Sequence, residues 1–183
     1  MFSNPARHAK ILVKIGEEHQ RSDEVFITAF RAKYSDHYPP SWMIMEIVSF
    51  GTLSILYSNL LPGQAKRKIA AYFGLADSVF SSWLHSIVYI RNICAHHSRL
   101  WNKVLGVRPL MPRSPHNTFI PIPASGTQQV YFILSMINYL LNTVNPNHSF
   151  IPRFKELLNR YPMVDIKAMG FPAEWENDIL KKR

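Results

Sequence analysis

Residues 77–102, DSVFSSWLHSIVYIRNICAHHSRLWN, carry Trp83, Ile87, Ile90, Cys94, His97 and Trp101 at alternating spacings of four and three. A helix turning about 100° per residue gathers such a series onto one face. The stretch therefore predicts one long buried helix, and the rest of the fold must be arranged around it. Asp77 stands where an N-cap is expected. His97 falls on the apolar stripe, where it reads as a core histidine bonded to a neighbour.

Helical periodicity dominates the remaining segments. In SDEVFITAFRAK (22–33), Ser22 and Asp23 are candidate caps, and Val25, Phe26, Ala29 and Phe30 form the expected apolar face. Tyr38-Pro39-Pro40 breaks the chain. Ser41 is then expected to cap SWMIMEIVSFGTLSILYSNL, a single buried central helix with a close contact or a bend at Gly51. Pro62-Gly63 turns into QAKRKIAAYFGL, a short basic helix ending near Gly74. Further helices are predicted from Thr127 to Asn145-Pro146, after Pro152, and from Pro172 onward. Five prolines stiffen residues 107–126 into a long loop, from which Arg108, Arg113 and His116 could reach a ligand. The expected fold class is all-α, a helical bundle in one domain over residues 1–183, with a short strand pair near Phe119–Pro123 as the one exception.

Lys and Arg number 21 against 12 Asp and Glu, a formal net charge of +9. That surplus favours a polyanionic partner, nucleic acid ahead of an anionic membrane. Cys94 is the single cysteine, which excludes an intrachain disulfide and a cysteine-based zinc site and suits a reducing cytoplasm. The first residues lack an apolar core of signal-peptide length, and no window approaches the roughly 18 apolar residues of a spanning helix. The expectation is a soluble protein with no membrane partner.

A second face of the long helix is polar throughout. His85, Asn92, His96 and Arg99 lie at offsets of seven, four and three and share it. Arg91 stands beside this face, about 140° from His96. One ideal helix aligns the two poorly unless it distorts near its end or a second copy supplies the partner. These groups suit phosphodiester cleavage: an imidazole takes or gives a proton near neutral pH, a guanidinium matches phosphate oxygens and stabilises charge as it builds, and an amide orients either. RNA needs nothing further, because its own 2′-hydroxyl is the nucleophile. A metal fits less well, since His96 and His97 diverge by about 100° on a helix and no H-E-x-x-H is present. G-x-S-x-G is absent and Cys94 lies on the apolar stripe, so acyl transfer lacks support. No cofactor is implied.

The run RNICAHHSRLWN, with EVFITAFRAKYSD, PPSWMIMEIVSFGTLS, SWLHSIVYI and MGFPAEW, resembles the abortive-infection (Abi) proteins of the AbiD and AbiF type over about residues 17–177. These are bacterial phage-defence factors within the HEPN superfamily of helical domains, whose hallmark is R-x-x-x-x-H with a polar residue after the arginine. The resemblance implies Arg91, Asn92 and His96 as the catalytic set of a metal-independent endoribonuclease toxin that leaves 2′,3′-cyclic phosphate ends. It implies a homodimer in which two motifs face each other, and a noncoding RNA or antitoxin as a further partner. His97, Arg99, Trp101 and Asn102 match the Abi-specific extension. The residues expected to hold RNA are His97, Arg99, His85, Lys66, Arg67, Lys68, Arg108 and Arg113. The family usually carries another helical region ahead of the matched part, so residues 1–20 are expected to be a reduced N-terminal segment. The other function class is an RNA-binding module that grips a noncoding RNA without cutting it.

Overall fold

The computed structural model describes residues 2–179. Its regular elements are all helical. Among the described residues there is no strand, only an isolated antiparallel bridge between Phe2 and Leu60. The strand pair expected near Phe119–Pro123 does not form, because this extended segment serves as side-chain anchors: Ile120 is buried, and Phe119 meets Trp83, Phe132 and Tyr139. The chain divides into two compact units, Met1–Lys66 and Arg67–Arg183.

The first unit holds α1 (Pro5–Arg21), α2 (Val25–Lys33), α3 (Ser41–Ile47) and α4 (Phe50–Ser58), and α5 (Gln64–Tyr72) begins in it. Within the N-terminal segment, Pro5–Arg21 form α1. Asn4 caps α1 by accepting from the Arg7 N–H at 2.9 Å, and Pro5 occupies its first turn, an arrangement that suits proline's missing N–H and fixed φ. Ile11, Ile15 and His19, four residues apart, are its buried side, and α1 packs on α3 and α4. Ile11 and Ile15 meet Ile44 and Val48 in the core of this unit.

The single central helix expected from Ser41 is two helices. Val48 is extended (φ −72, ψ 143), and Ser49 opens α4 by accepting from the Thr52 N–H. The bend lies there and not at Gly51. Glu18 of α1 stabilises the break, accepting from the Ser49 N–H at 2.9 Å and from the Thr52 hydroxyl at 3.0 Å. A carboxylate at a helix start satisfies orphan donors and complements the helix dipole. In α2 the buried residues are Ile27 and Phe30. Val25, Phe26 and Ala29, expected on the core face, are exposed.

The second unit holds α6 (Asp77–Ala95), α7 (Val130–Val144), α8 (Phe150–Arg160), a single 3-10 turn (Lys167–Met169) and α9 (Trp175–Ile179). The expected last helix thus starts three residues beyond Pro172, and residues 180–183 lie outside the described residues. α6 packs against α7, and its buried side is Val79, Phe80, Trp83, Ser86, Ile90 and Ile93. This stripe differs from the expected one: Ile93 is buried where Cys94 is exposed. Trp83 is fully buried, edge-on to Phe132 and Tyr139. A second cluster joins Val130, Tyr131 and Phe132 of α7 to Ile151, Met169, Phe171 and Trp175.

The proline-rich loop is tied to this frame. Both backbone groups of Leu110 bond to α6, its carbonyl accepting from Trp83 Nε1 at 2.8 Å and its N–H donating to Ser82 Oγ at 3.0 Å. Further along, the His116 N–H donates to the Gly74 carbonyl at 2.9 Å. Gly74 has φ +65, and a Cβ there would lie 2.3 Å from His116 Cβ. The position therefore needs glycine twice over.

Candidate functional site

The long helix stops at Ala95, well before Trp101. His96 is its C-cap, and His97 takes the left-handed conformation with φ +52. The His97 N–H donates to the Cys94 carbonyl and the Ser98 N–H to the Ile93 carbonyl, both at 3.0 Å. That crossed pair is the Schellman arrangement, in which the residue after the cap is usually glycine. With the His96 N–H on the Asn92 carbonyl at 3.0 Å, three carbonyls of the last turn are satisfied within the chain. An anion approaching this end meets exposed side chains around that turn.

Those side chains are Arg91, Asn92, His96, His97 and Arg99, all exposed. Arg91 Nη1 donates to Asn92 Oδ1 at 3.3 Å, so the guanidinium is steered by its sequence neighbour. The His96 imidazole has no hydrogen-bond partner among the described residues. His97, expected in the core, is on the surface, because the left-handed turn removes it from the helical series. For the same reason Trp101 (42% exposed) leaves the apolar stripe, and Arg99 cannot be placed on the His85, Asn92 and His96 face by counting helical turns. His85 is exposed on α6 itself, two turns before Asn92.

The other expected contacts are more dispersed. Lys66 belongs to the first unit, where its Nζ donates to the carbonyls of Ser58 and Leu60 at 3.0 and 3.2 Å and lies 5.4 Å from the Tyr57 ring centroid. It closes the end of α4 as a basic side chain commonly does. Arg67 and Lys68 are exposed on α5. Arg108 points its Nε and Nη2 at Gln128 Oε1, at 3.1 and 2.8 Å. Arg113 is exposed and lines a groove of about 530 Å³ beside Leu75, Ala76, Ser78 and Val79.

Two positioning residues have no sequence signature. Tyr89 on α6 accepts the Gly106 N–H at its hydroxyl, at 3.2 Å. Gln128 receives the Leu105 N–H at its carbonyl and donates from Nε2 to the Leu105 carbonyl, at 2.9 and 2.8 Å. Together they fix the segment that follows the histidine turn. Long-range side-chain bonds of this kind leave no periodic trace. No cluster of three or more His, Cys, Asp and Glu side chains suited to a metal ion occurs among the described residues.

The described residues are helical throughout their regular elements and carry Arg-Asn-x-x-x-His-His at an exposed helix end. The chain belongs to the Abi-like protein family, whose family model matches residues 2–102. Membership ties the chain to abortive infection, a defence against phage. The match includes α1 and runs through the histidine turn to Asn102, starting earlier and stopping sooner than the resemblance over residues 17–177. No curated protein and no solved structure matches the chain. No helix among the described residues is long and apolar enough to cross a membrane.

Proposed function

We propose that the protein is a HEPN-type, metal-independent endoribonuclease of abortive infection, with Arg91, Asn92 and His96 as its working set. The observation that carries this reading is the Arg91 to Asn92 hydrogen bond on the last turns of α6, followed by two exposed imidazoles on a turn in which three carbonyls are already satisfied. In the reaction the substrate's 2′-oxygen attacks the adjacent phosphorus and the bond to the 5′-oxygen breaks, leaving a 2′,3′-cyclic phosphate. His96 takes the 2′-hydroxyl proton or supplies the one the 5′-oxygen needs. The complementary transfer falls to His97 or to His96 of a second copy. Arg91 offers paired donors to the equatorial oxygens as their charge grows, and Asn92 holds that fork in place. A homodimer with a composite site fits the unpartnered His96 ring, because a second copy or the RNA would orient it. Arg99, His85, Arg67, Lys68 and Arg113 are exposed basic and imidazole groups that can meet the RNA backbone, which makes binding fall with salt.

The same unpartnered imidazole favours a second reading, an RNA-binding module that grips a noncoding RNA without cleaving it. Substitution separates the two. His96→Ala abolishes cleavage and changes RNA affinity by less than about threefold if His96 is a proton-transfer group. If the wild type binds RNA, never cuts it, and loses affinity on His96→Ala, the binding module is correct.

A further inference from the structure

The first unit carries an uncovered aromatic groove of about 730 Å³ between the end of α2 and the start of α3. Phe26, Phe30 and Lys33 present one face of α2, with spacings of four and three, and the opposite wall is Tyr38 and Trp42. Phe30 is buried as the floor, whereas Tyr38 is 44% and Trp42 70% exposed. An indole left that open on a first helical turn does nothing for the core of its own unit. The apolar face that periodicity assigns to packing is here a wall in contact with solvent, and such a surface marks a binding site more often than a packing accident.

Its polar groups say what it takes. Lys33 Nζ stands 5.4 Å from the Tyr34 ring centroid, which keeps a cation at the rim. Asp36 adds one carboxylate to the lining. Flat rings, one rim cation and one acceptor match a nucleotide: the base stacks on an aromatic face, its exocyclic amine reaches the carboxylate, and its phosphate meets the lysine. A proline-rich peptide also prefers aromatic grooves, but it offers no anion to Lys33, whereas a nucleotide supplies a phosphate to the lysine and an exocyclic amine to Asp36.

We propose that this groove binds an unpaired base of single-stranded RNA, with Trp42 and Tyr38 as stacking platforms and Lys33 on the adjoining phosphate. The proposal rests on the ribonuclease reading for its partner and narrows that partner to RNA with unpaired bases. Duplex RNA keeps its bases stacked and cannot enter.

The test uses the full chain carrying His96→Ala, so that RNA persists, with a single-stranded oligoribonucleotide containing 2-aminopurine read by anisotropy and by quenching. The expected result is binding at least about tenfold tighter than to the same strand in a duplex, with the 2-aminopurine quenched by stacking. Adding Trp42→Ala weakens binding about tenfold and removes the quench, the scale of one lost stack, and Trp42→Phe keeps most of both. Lys33→Glu, outside the core, weakens binding as well and serves if Trp42→Ala fails to fold. Unchanged affinity and quench in Trp42→Ala, equal binding of the duplex, AMP binding as tightly as the oligonucleotide, or displacement of the strand by a proline-rich peptide would each overturn the proposal. The two readings fail separately. Cleavage by wild type that Trp42→Ala leaves untouched removes the groove alone, and Trp42-dependent binding without any cleavage by wild type removes the nuclease alone.

Discussion

Replacing His97 by glycine should stabilise the protein, although it deletes a side chain from the motif. His97 has φ +52, where an L-residue suffers a clash worth about 1–2 kcal/mol. Glycine escapes the clash but loses about 0.5–1 kcal/mol more conformational freedom on folding. His97 is exposed, so little packing offsets the difference, and the net gain is about 0.5–1 kcal/mol. For a chain of this size that raises Tm by roughly 1–4 °C. Thermal unfolding followed by circular dichroism reads it directly. His97→Ala is the control, since it removes the same imidazole and keeps the strained backbone, and its Tm should move by no more than about 1 °C. Both variants should lose RNA binding or cleavage if the strain is retained for function. A fall in Tm for His97→Gly, or equal Tm values for the two variants, would refute the left-handed turn as the cause.

Three further outcomes follow from the same geometry. Glu18→Gln, which leaves one acceptor for two donors at the start of α4, should cost about 1–2 kcal/mol in urea unfolding; a loss below about 0.3 kcal/mol would mean that α4 caps itself. His19 is buried, and burial first, then Arg31 and His37, hold its imidazole below the ordinary 6.5. The unfolded chain therefore takes up a proton before the folded one does, and stability present above about pH 6.5 declines as pH falls below it. Urea unfolding at about pH 7.5 and pH 5.5 should differ in that direction, His19→Gln should narrow the gap, and a gap of the opposite sign would contradict the assignment. Arg108→Ala and Gln128→Ala should each cost about 0.5–1 kcal/mol and fail to add in the double variant; strict additivity would free Arg108 from its clamp and return it to the RNA.

The legible parts of this molecule were those with a local cause. Gly74 and Pro62-Gly63 bound α5, and Asn145-Pro146 follows the end of α7, because each alters what the backbone itself can adopt. The end of α6 was hidden for a converse reason: its left-handed residue is His97 and not glycine, and the spacings of four and three run on to Trp101 by chance. Ser49 and Thr52 mark the start of α4, but they lie inside an apolar run that reads as continuous, and the Glu18 carboxylate that completes the break comes from thirty-one residues earlier. Asn4-Pro5 is a local signature for the start of α1, an N-cap followed by a first-turn proline. At the candidate site, Arg91, Asn92 and His96 could be named from their order and chemistry. Their exposure and the turn that presents them required the folded chain.

In the proposed reaction His96 transfers a proton in metal-independent cleavage of RNA. The most direct test is incubation of the purified protein with total bacterial RNA in EDTA, wild type beside His96→Ala, with chemical mapping of the new ends. New 2′,3′-cyclic phosphate ends with wild type and none with His96→Ala are the predicted result. Cleavage that persists in His96→Ala, or RNA that stays intact while co-purifying with the wild type, would contradict it.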